Sequence, residues 1–257
     1  MINWEDASMI RSLAHLTTLS ISLTDRIFVF DGDEEADEDL SECEEEEGDV
    51  SSWQPSGKDA EIVAASQDES NFSGLANLIA ACPRLEDIEL HYHSVAWPKT
   101  RLFNCFRRDQ ILTHMAGLAN LPPLKCCRLR GITARQVDLL QFIRKAKVAE
   151  VFIESIHLAA GTLRPIIDYC ISESGYVRKL HIDTVYEKCE EGYRGLVHFL
   201  GEGESKRYAG TFDVGTELLN REGDGRTRAV SYYVQRPIAD ATPATCDWTR
   251  RQREEYN

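Results

Sequence analysis

An α/β fold in which short parallel strands stack side by side as a solenoid, with helices along the outside and a cap at the C-terminal end, is what this sequence predicts. The first observation is a recurring apolar phrase, LxxLxL. It reads Leu124, Cys127, Leu129, then Val148, Val151, Ile153, then Val177, Leu180, Ile182, with weaker copies at Leu16, Leu19, Ile21 and at Leu85, Ile88, Leu90. The second is the helix-like stretch that follows each of the three later copies. The third is punctuation: Pro83, the pair Pro122-Pro123 and Gly175 stand just ahead of copies, where a helix has to stop before a strand begins.

The phrase has a physical basis. Inward side chains of a strand recur every second residue, and one further apolar residue leads the chain in. One strand and one helix cannot bury a core, whereas copies stacked as a parallel sheet bury a continuous apolar seam. The copies are spaced by 69, 39, 24 and 29 residues, and only the last two spacings fall in the leucine-rich-repeat range of roughly 20–29 residues. Position nine of each copy, where such repeats carry Asn or Cys, holds Thr24, His93, Ile132, Ile156 and Val185. The asparagine ladder is therefore missing, and the expected fold is an irregular leucine-rich-repeat-like solenoid with parallel strands and outer helices. An ordinary α/β domain with short buried strands is the alternative.

In chain order, residues 1–30 read as a first repeat-like strand unit with a short helical lead, 31–59 as an acidic disordered insertion, 60–200 as the solenoid, and 201–257 as a C-terminal cap. Ser70 or Asn71 is placed to cap a helix carrying Phe72, Leu75, Leu78 and Ile79, which stops at Cys82-Pro83 ahead of strand LEDIEL. Ile111, Leu112, Met115 and Leu118 recur at helical spacing. After a strand at Leu124 to Arg130, Thr133 and Gln136 match a capping box in front of a helix burying Val137, Leu140 and Ile143. The next unit is strand Val148 to Ile153 and helix Leu163 to Ser172, with Pro165 in the first turn. The last is strand Val177 to Ile182. In the cap, Thr216 to Arg221 and Arg228 to Gln235 are expected to pair across Gly223-Asp224-Gly225, and Trp248 to Tyr256 reads as a surface helix.

Composition narrows the function classes. The 257 residues suffice for a sizeable core, no apolar run approaches the roughly 18–20 residues of a membrane helix, and MINWEDASMI lacks the features of a signal peptide. A cytoplasmic or nuclear location is expected. The eight cysteines show no CxxC spacing, and Cys82, Cys127 and Cys170 fall on inward faces, which suits reduced thiols rather than disulfides. Net charge is −14, but thirteen acidic residues and no Lys or Arg lie between Asp31 and Asp49, leaving the rest of the chain at −1. Such a block repels itself and reads as a solvated insertion. No basic patch with interleaved aromatics points to nucleic acid.

Taken together, the segments LIAACPRLEDIEL, LPPLKCCRLRGITARQVDLLQFIRKAK, LRPIIDYCIS and LLNREGDGRTRAVSYYV, with the ending DWTRRQREEYN, resemble the leucine-rich-repeat-like region of the large fungal group of F-box-type proteins. The resemblance covers roughly residues 72 to 257. It implies repeats that select protein targets, and, in the family, an N-terminal F-box that docks a ubiquitin-ligase adaptor of the SCF type. Fifteen residues precede Leu16 and no Leu-Pro opening is present, so an F-box is expected upstream or not at all.

Residues between the inward ones should face solvent on the concave side of the sheet, where solenoids commonly bind partners. These are Thr18, Ser20, Asp87, Glu89, His91, Arg128, Arg130, Glu150, Phe152, Glu154, Lys179, His181 and Asp183. Phe152, Arg128 and Arg130 lead the set, since aromatic and Arg side chains carry most interface hot spots. His91 and His93 share a strand face, without the ligand spacing of a zinc site. No nucleophile elbow GxSxG and no full phosphate loop occurs. The expectation is a non-enzymatic interaction module without cofactor or metal, whose partner is a protein; a target-recognition piece of a ubiquitin ligase is the second reading, and an unrecognised α/β hydrolytic enzyme the third.

Overall fold

A computed structural model of the chain describes residues 7–24, 61, 64, 68, 70–93, 109–188, 194–201 and 215–235. The predicted acidic insertion, the stretch 94–108 and the helix at Trp248 to Tyr256 lie outside the described residues. Within them the chain is an α/β fold on one open, mostly parallel sheet. Its elements are α1 (Ala7–Leu13), β1 (Thr18–Thr24), α2 (Ser70–Ala80), β2 (Asp87–His93), α3 (Gln110–Gly117), β3 (Cys126–Arg130), β4 (Thr133–Arg135), α4 (Gln136–Lys145), β5 (Glu150–Ala160), α5 (Arg164–Ile171), β6 (Lys179–Lys188), β7 (Arg194–Leu200), β8 (Leu218–Glu222) and β9 (Ser231–Gln235). Strands β1, β2, β3, β5 and β6 lie side by side in chain order and all run parallel. At the far end β7 and β8 return antiparallel along the two halves of β6, and β9 pairs with β7.

The apolar phrase explains this order. Leu85, Ile88, Leu90, Leu124, Cys127, Leu129, Val148, Val151, Ile153, Val177, Leu180 and Ile182 are all buried in one core. Helices cover that side of the sheet and follow the strand order, α2 packing on α3, α3 on α4 and α4 on α5. Each of these four helices presents an apolar stripe: Ala76 and Ile79 from α2, Ile111, Leu112 and Met115 from α3, Leu139, Phe142 and Ile143 from α4, Ile166, Ile167 and Cys170 from α5. The chain segments entering the strands are also tied to one another. Glu150 N donates to Lys125 O at 2.8 Å, and Arg178 N to Ala149 O at 2.6 Å.

Strands β5 and β6 are longer than their phrases predict, running eleven and ten residues. The cause is a left-handed residue in the middle of each. Ser155 (φ 52°) and Thr184 (φ 54°) stand beside each other in adjacent strands, and Gly131 (φ 69°) occupies the same place between β3 and β4. A left-handed residue slips the alternation by one, as a bulge does, so the side chain after it points inward again. Position nine, expected to lack its usual Asn, is thus filled by Ile132, Ile156 and Val185 as a second buried apolar column. Thr24 and His93, at the same position of the first two copies, stay exposed.

Three expectations are corrected here. Thr133 belongs to β4, not to a capping box: the residue before α4 is Arg135, and no side-chain cap bond is made. Val137 is exposed and Asp138 buried, because the Asp138 carboxylate is satisfied where it sits, accepting from Thr113 Oγ1 (2.7 Å) and Arg135 Nε (2.6 Å). The two C-terminal strands do not pair with each other. Each finds a longer strand instead, β8 along β6 and β9 along β7.

A buried carboxylate locks this end. Glu187 Oε1 accepts from Leu163 N (2.6 Å), at the start of α5, and from the Tyr232 hydroxyl (2.9 Å) on β9. Burial, reinforced by the Glu187 charge, pushes the Tyr232 phenol up, so it stays a proton donor.

Two substitutions test the corner. Ile156→Asn is expected to lower unfolding free energy by about 3 kcal/mol, the scale of burying an amide in place of a core side chain; a neutral effect in urea titration would mean the position accepts the regular asparagine ladder after all. Gly131→Ala is expected to cost about 2–3 kcal/mol, because a Cβ there meets the Tyr92 carbonyl and the φ is left-handed. Ser155→Gly, with no such neighbour to meet, serves as the mild control.

Candidate functional site

In-register pairing sets equivalent residues of neighbouring strands side by side on the face opposite the helices. Three rows result. The first holds Thr18, Asp87, Cys126, Glu150, Lys179 and Glu222; the second Ser20, Glu89, Arg128, Phe152, His181 and Asn220; the third Ser22, His91, Arg130, Glu154, Asp183 and Leu218. All the residues expected at the binding face fall in these rows. Strand β8 adds Asn220, Glu222 and Leu218, which no local signal announces because their pairing is set by β6 alone. Simple alternation would have found Ser22 and Cys126.

The middle row is the most organised. The Arg128 guanidinium lies 4.1 Å from the centre of the Phe152 ring, Lys179 Nζ approaches it at 5.7 Å, and the His181 ring is tilted beside it at 5.8 Å. His181 Nδ1 donates to Asn220 Oδ1 at 2.6 Å, since an amide oxygen only accepts. That bond fixes the imidazole tautomer and orientation. The Ser20 hydroxyl donates to Glu89 Oε2 at 3.2 Å, and Glu89 Oε1 lies 2.9 Å from His91 Nε2.

Around this row the charges pair loosely. Lys179 meets Glu222 at 3.3 Å and Arg130 meets Glu154 at 3.8 Å, with all four side chains about a third exposed or more. Such pairs contribute only about 0–1 kcal/mol each and are easily exchanged for a partner's groups. Glu89, His91, Arg128, Leu129, Arg130 and Glu154 line a pit of about 130 Å³, a size suited to the end of one side chain. The two guanidinium groups share that pit with two carboxylates, so it offers donors and acceptors together. It suits a polar side chain more than a bare ion.

Past the left-handed corner the face continues with a stacked pair, His157 on Tyr186 at 4.7 Å and 9° between planes. His91 and His93 stand edge to face at 6.1 Å. Among the described residues no group of three or more His, Cys, Asp or Glu side chains is gathered so as to hold a metal ion. Nor, among them, is any helix long and apolar enough to cross a membrane.

The cysteines report the two sides of the sheet. Cys126 lies in the first outer row, half-buried, while Cys127 next to it is fully buried, and all four described cysteines are free thiols. Burial pushes the Cys127 thiol up strongly and the Cys170 thiol to about 12. Burial raises Cys126 as well, with Arg128 opposing. Iodoacetamide at pH 8 should therefore label Cys126 slowly in the folded protein, and Cys82, Cys127 and Cys170 only after unfolding, as read by peptide mass mapping. Equal labelling of Cys126 and Cys127 would mean that the register of β3 is wrong.

No family model, curated protein or solved structure matches the chain.

Proposed function

We propose that this chain is a non-enzymatic protein-interaction module, an irregular leucine-rich-repeat-like solenoid that holds a protein partner on its outer sheet face. The observation that carries the reading is the middle row, where Phe152 stands half-exposed between Arg128 and His181, with its neighbours fixed by hydrogen bonds and ring contacts. An aromatic ring flanked by Arg on a rigid sheet meets the description of an interface hot spot, and it loses little side-chain entropy on binding. Stacked units exposing such a face are the usual way in which repeat solenoids present a binding surface. The ring of charges around it fits the polar rim of an interface, where complementarity sets specificity more than strength.

The test compares the full chain with a variant carrying Arg128→Glu, Phe152→Ala and Arg130→Glu in affinity capture from its own cell extract, followed by binding measurements with each purified candidate. A partner using this face should bind the variant at least about 30-fold more weakly, the loss of one hot-spot side chain of about 2 kcal/mol. The variant's thermal midpoint should stay close to that of the parent, because all three side chains point away from the core. Identical captured sets, or equal affinities, would remove the sheet face from the reading. Recovery of a ubiquitin-ligase adaptor would point instead to target recognition within an SCF-type ligase.

A further inference from the structure

A second recess lies away from the outer face, at the edge where chain segments leave the helices and enter the strands. It is an open groove of about 440 Å³ lined by Gly175, Tyr176, Val177, Arg178, Gly223 and Arg226. The segment between α5 and β6 forms one wall and the turn between β8 and β9 the other. Its volume falls within the roughly 300–1,000 Å³ of small-molecule sites.

The chemistry of the lining is one-sided. Arg226 Nη1 donates to Ser172 O (2.7 Å) and Cys170 O (3.4 Å), so the guanidinium is anchored on the last carbonyls of α5 and held at the groove wall. Arg178 is exposed, and among the described residues no carboxylate pairs with it. Its backbone is fixed by the bond from Arg178 N to Ala149 O, which also brings the preceding loop alongside. That loop supplies Lys147, whose Nζ lies 5.4 Å from the centre of the Tyr176 ring. Tyr176 is 53% exposed, one of the few large apolar side chains left in solvent among the described residues. The described lining includes no carboxylate; Glu173, Glu222 and Asp224 flank its walls in sequence, and Glu222 is engaged with Lys179 on the other face.

Two guanidinium groups with a lysine behind an exposed ring form a recognisable combination. Guanidinium forks match the oxygens of a phosphate, and an aromatic face accepts a flat ring by stacking. An acidic peptide would need cations spread along an extended track. Here Arg178 and Arg226 both line one recess, with Lys147 beside its Tyr176 ring. We propose that this groove binds a phosphate monoester carried on a planar ring, of the nucleoside monophosphate class, with Arg178 and Arg226 on the phosphate and Tyr176 against the ring.

Calorimetric titration of the full chain with AMP, adenosine and inorganic phosphate tests this. The expected result is saturable AMP binding, with adenosine and inorganic phosphate each about tenfold weaker or more, the scale of losing a charge-assisted hydrogen bond or a stacking contact. Arg178→Glu should weaken AMP by about tenfold or more. Tyr176→Ala should weaken AMP while leaving inorganic phosphate unchanged. Lys147→Glu, a second exposed position, repeats the charge test, and circular dichroism melts confirm that each variant is folded. The triple substitution on the sheet face should leave AMP binding intact, which separates this site from the interaction surface. The proposal is overturned by an absence of saturable AMP binding at millimolar concentration, by unchanged AMP affinity in Arg178→Glu, or by inorganic phosphate binding as tightly as AMP.

Discussion

The outer face depends on a backbone conformation that L-residues avoid. Gly131, Ser155 and Thr184 all adopt left-handed φ values at the same level of three neighbouring strands. For Ser and Thr this costs on the order of 1–3 kcal/mol each. What offsets it is the apolar column that follows: Ile132, Ile156 and Val185 are fully buried, and each such side chain contributes roughly 1.5–3 kcal/mol. Without the slip, strict alternation would send these three side chains to the solvent face. The third outer row, through Arg130, Glu154 and Asp183, is the last before the slip; beyond it the outward positions move by one residue, to His157 and Tyr186.

The corner also decides how the sheet ends. A parallel sheet of this kind leaves an open edge of unpaired N–H and C=O groups, which invites pairing with other chains. Along β6 that edge is closed by two strands rather than one, and they divide at Thr184. Strand β8 takes Lys179 to Asp183 and β7 takes Tyr186 to Lys188, while Thr184 N donates to Glu217 O at 3.3 Å in the seam between them. Glu187 then ties the closing strands to α5 through its two hydrogen bonds, the one from Leu163 N buried and the one from Tyr232 partly so. The opposite edge, β1, is blunted in another way. Its outer residues Thr18, Ser20, Ser22 and Thr24 are exposed and its inner ones only half-buried.

What the sequence made legible was whatever rests on short-range pattern. Twelve phrase residues in the last four copies were readable because burial repeats every second residue, and the helices between them because Pro and Gly mark their ends. The second half of β5 and of β6 was not, since the pattern breaks at a residue whose handedness has no reliable letter: Gly131 hints at it, Ser155 and Thr184 do not. Val137 was misassigned for a related reason. Hydrophobicity alone favours it over Asp138, and only the tertiary arrangement of Thr113 and Arg135 makes a buried carboxylate tolerable. The partners of β8 and β9 are nonlocal, and a local Asp-Gly turn was outweighed by long strands already in place. The outer rows were readable on the parallel strands and unreadable on β8.

Electrostatics distinguish what the face and the groove are suited to do. On the face, Glu89, Glu150, Glu154, Asp87 and Asp183 alternate with Arg128, Arg130 and Lys179, so opposite fields cancel over a few ångströms, less than the ~8 Å over which physiological salt screens charge. Such a pattern gives little long-range attraction. In the proposed role it would reward a partner whose own charges alternate in register and penalise others through unpaired charges, so its contribution would be discrimination. In the groove the cations are not interleaved with carboxylates, and Arg226 is held in place before any ligand arrives. A prearranged charge costs little reorganisation on binding, which favours a compact anion over a broad surface. The two proposed kinds of recognition would thus be separated by the same geometry: residues within strands face out as an alternating surface, and residues just ahead of the strands gather at an edge.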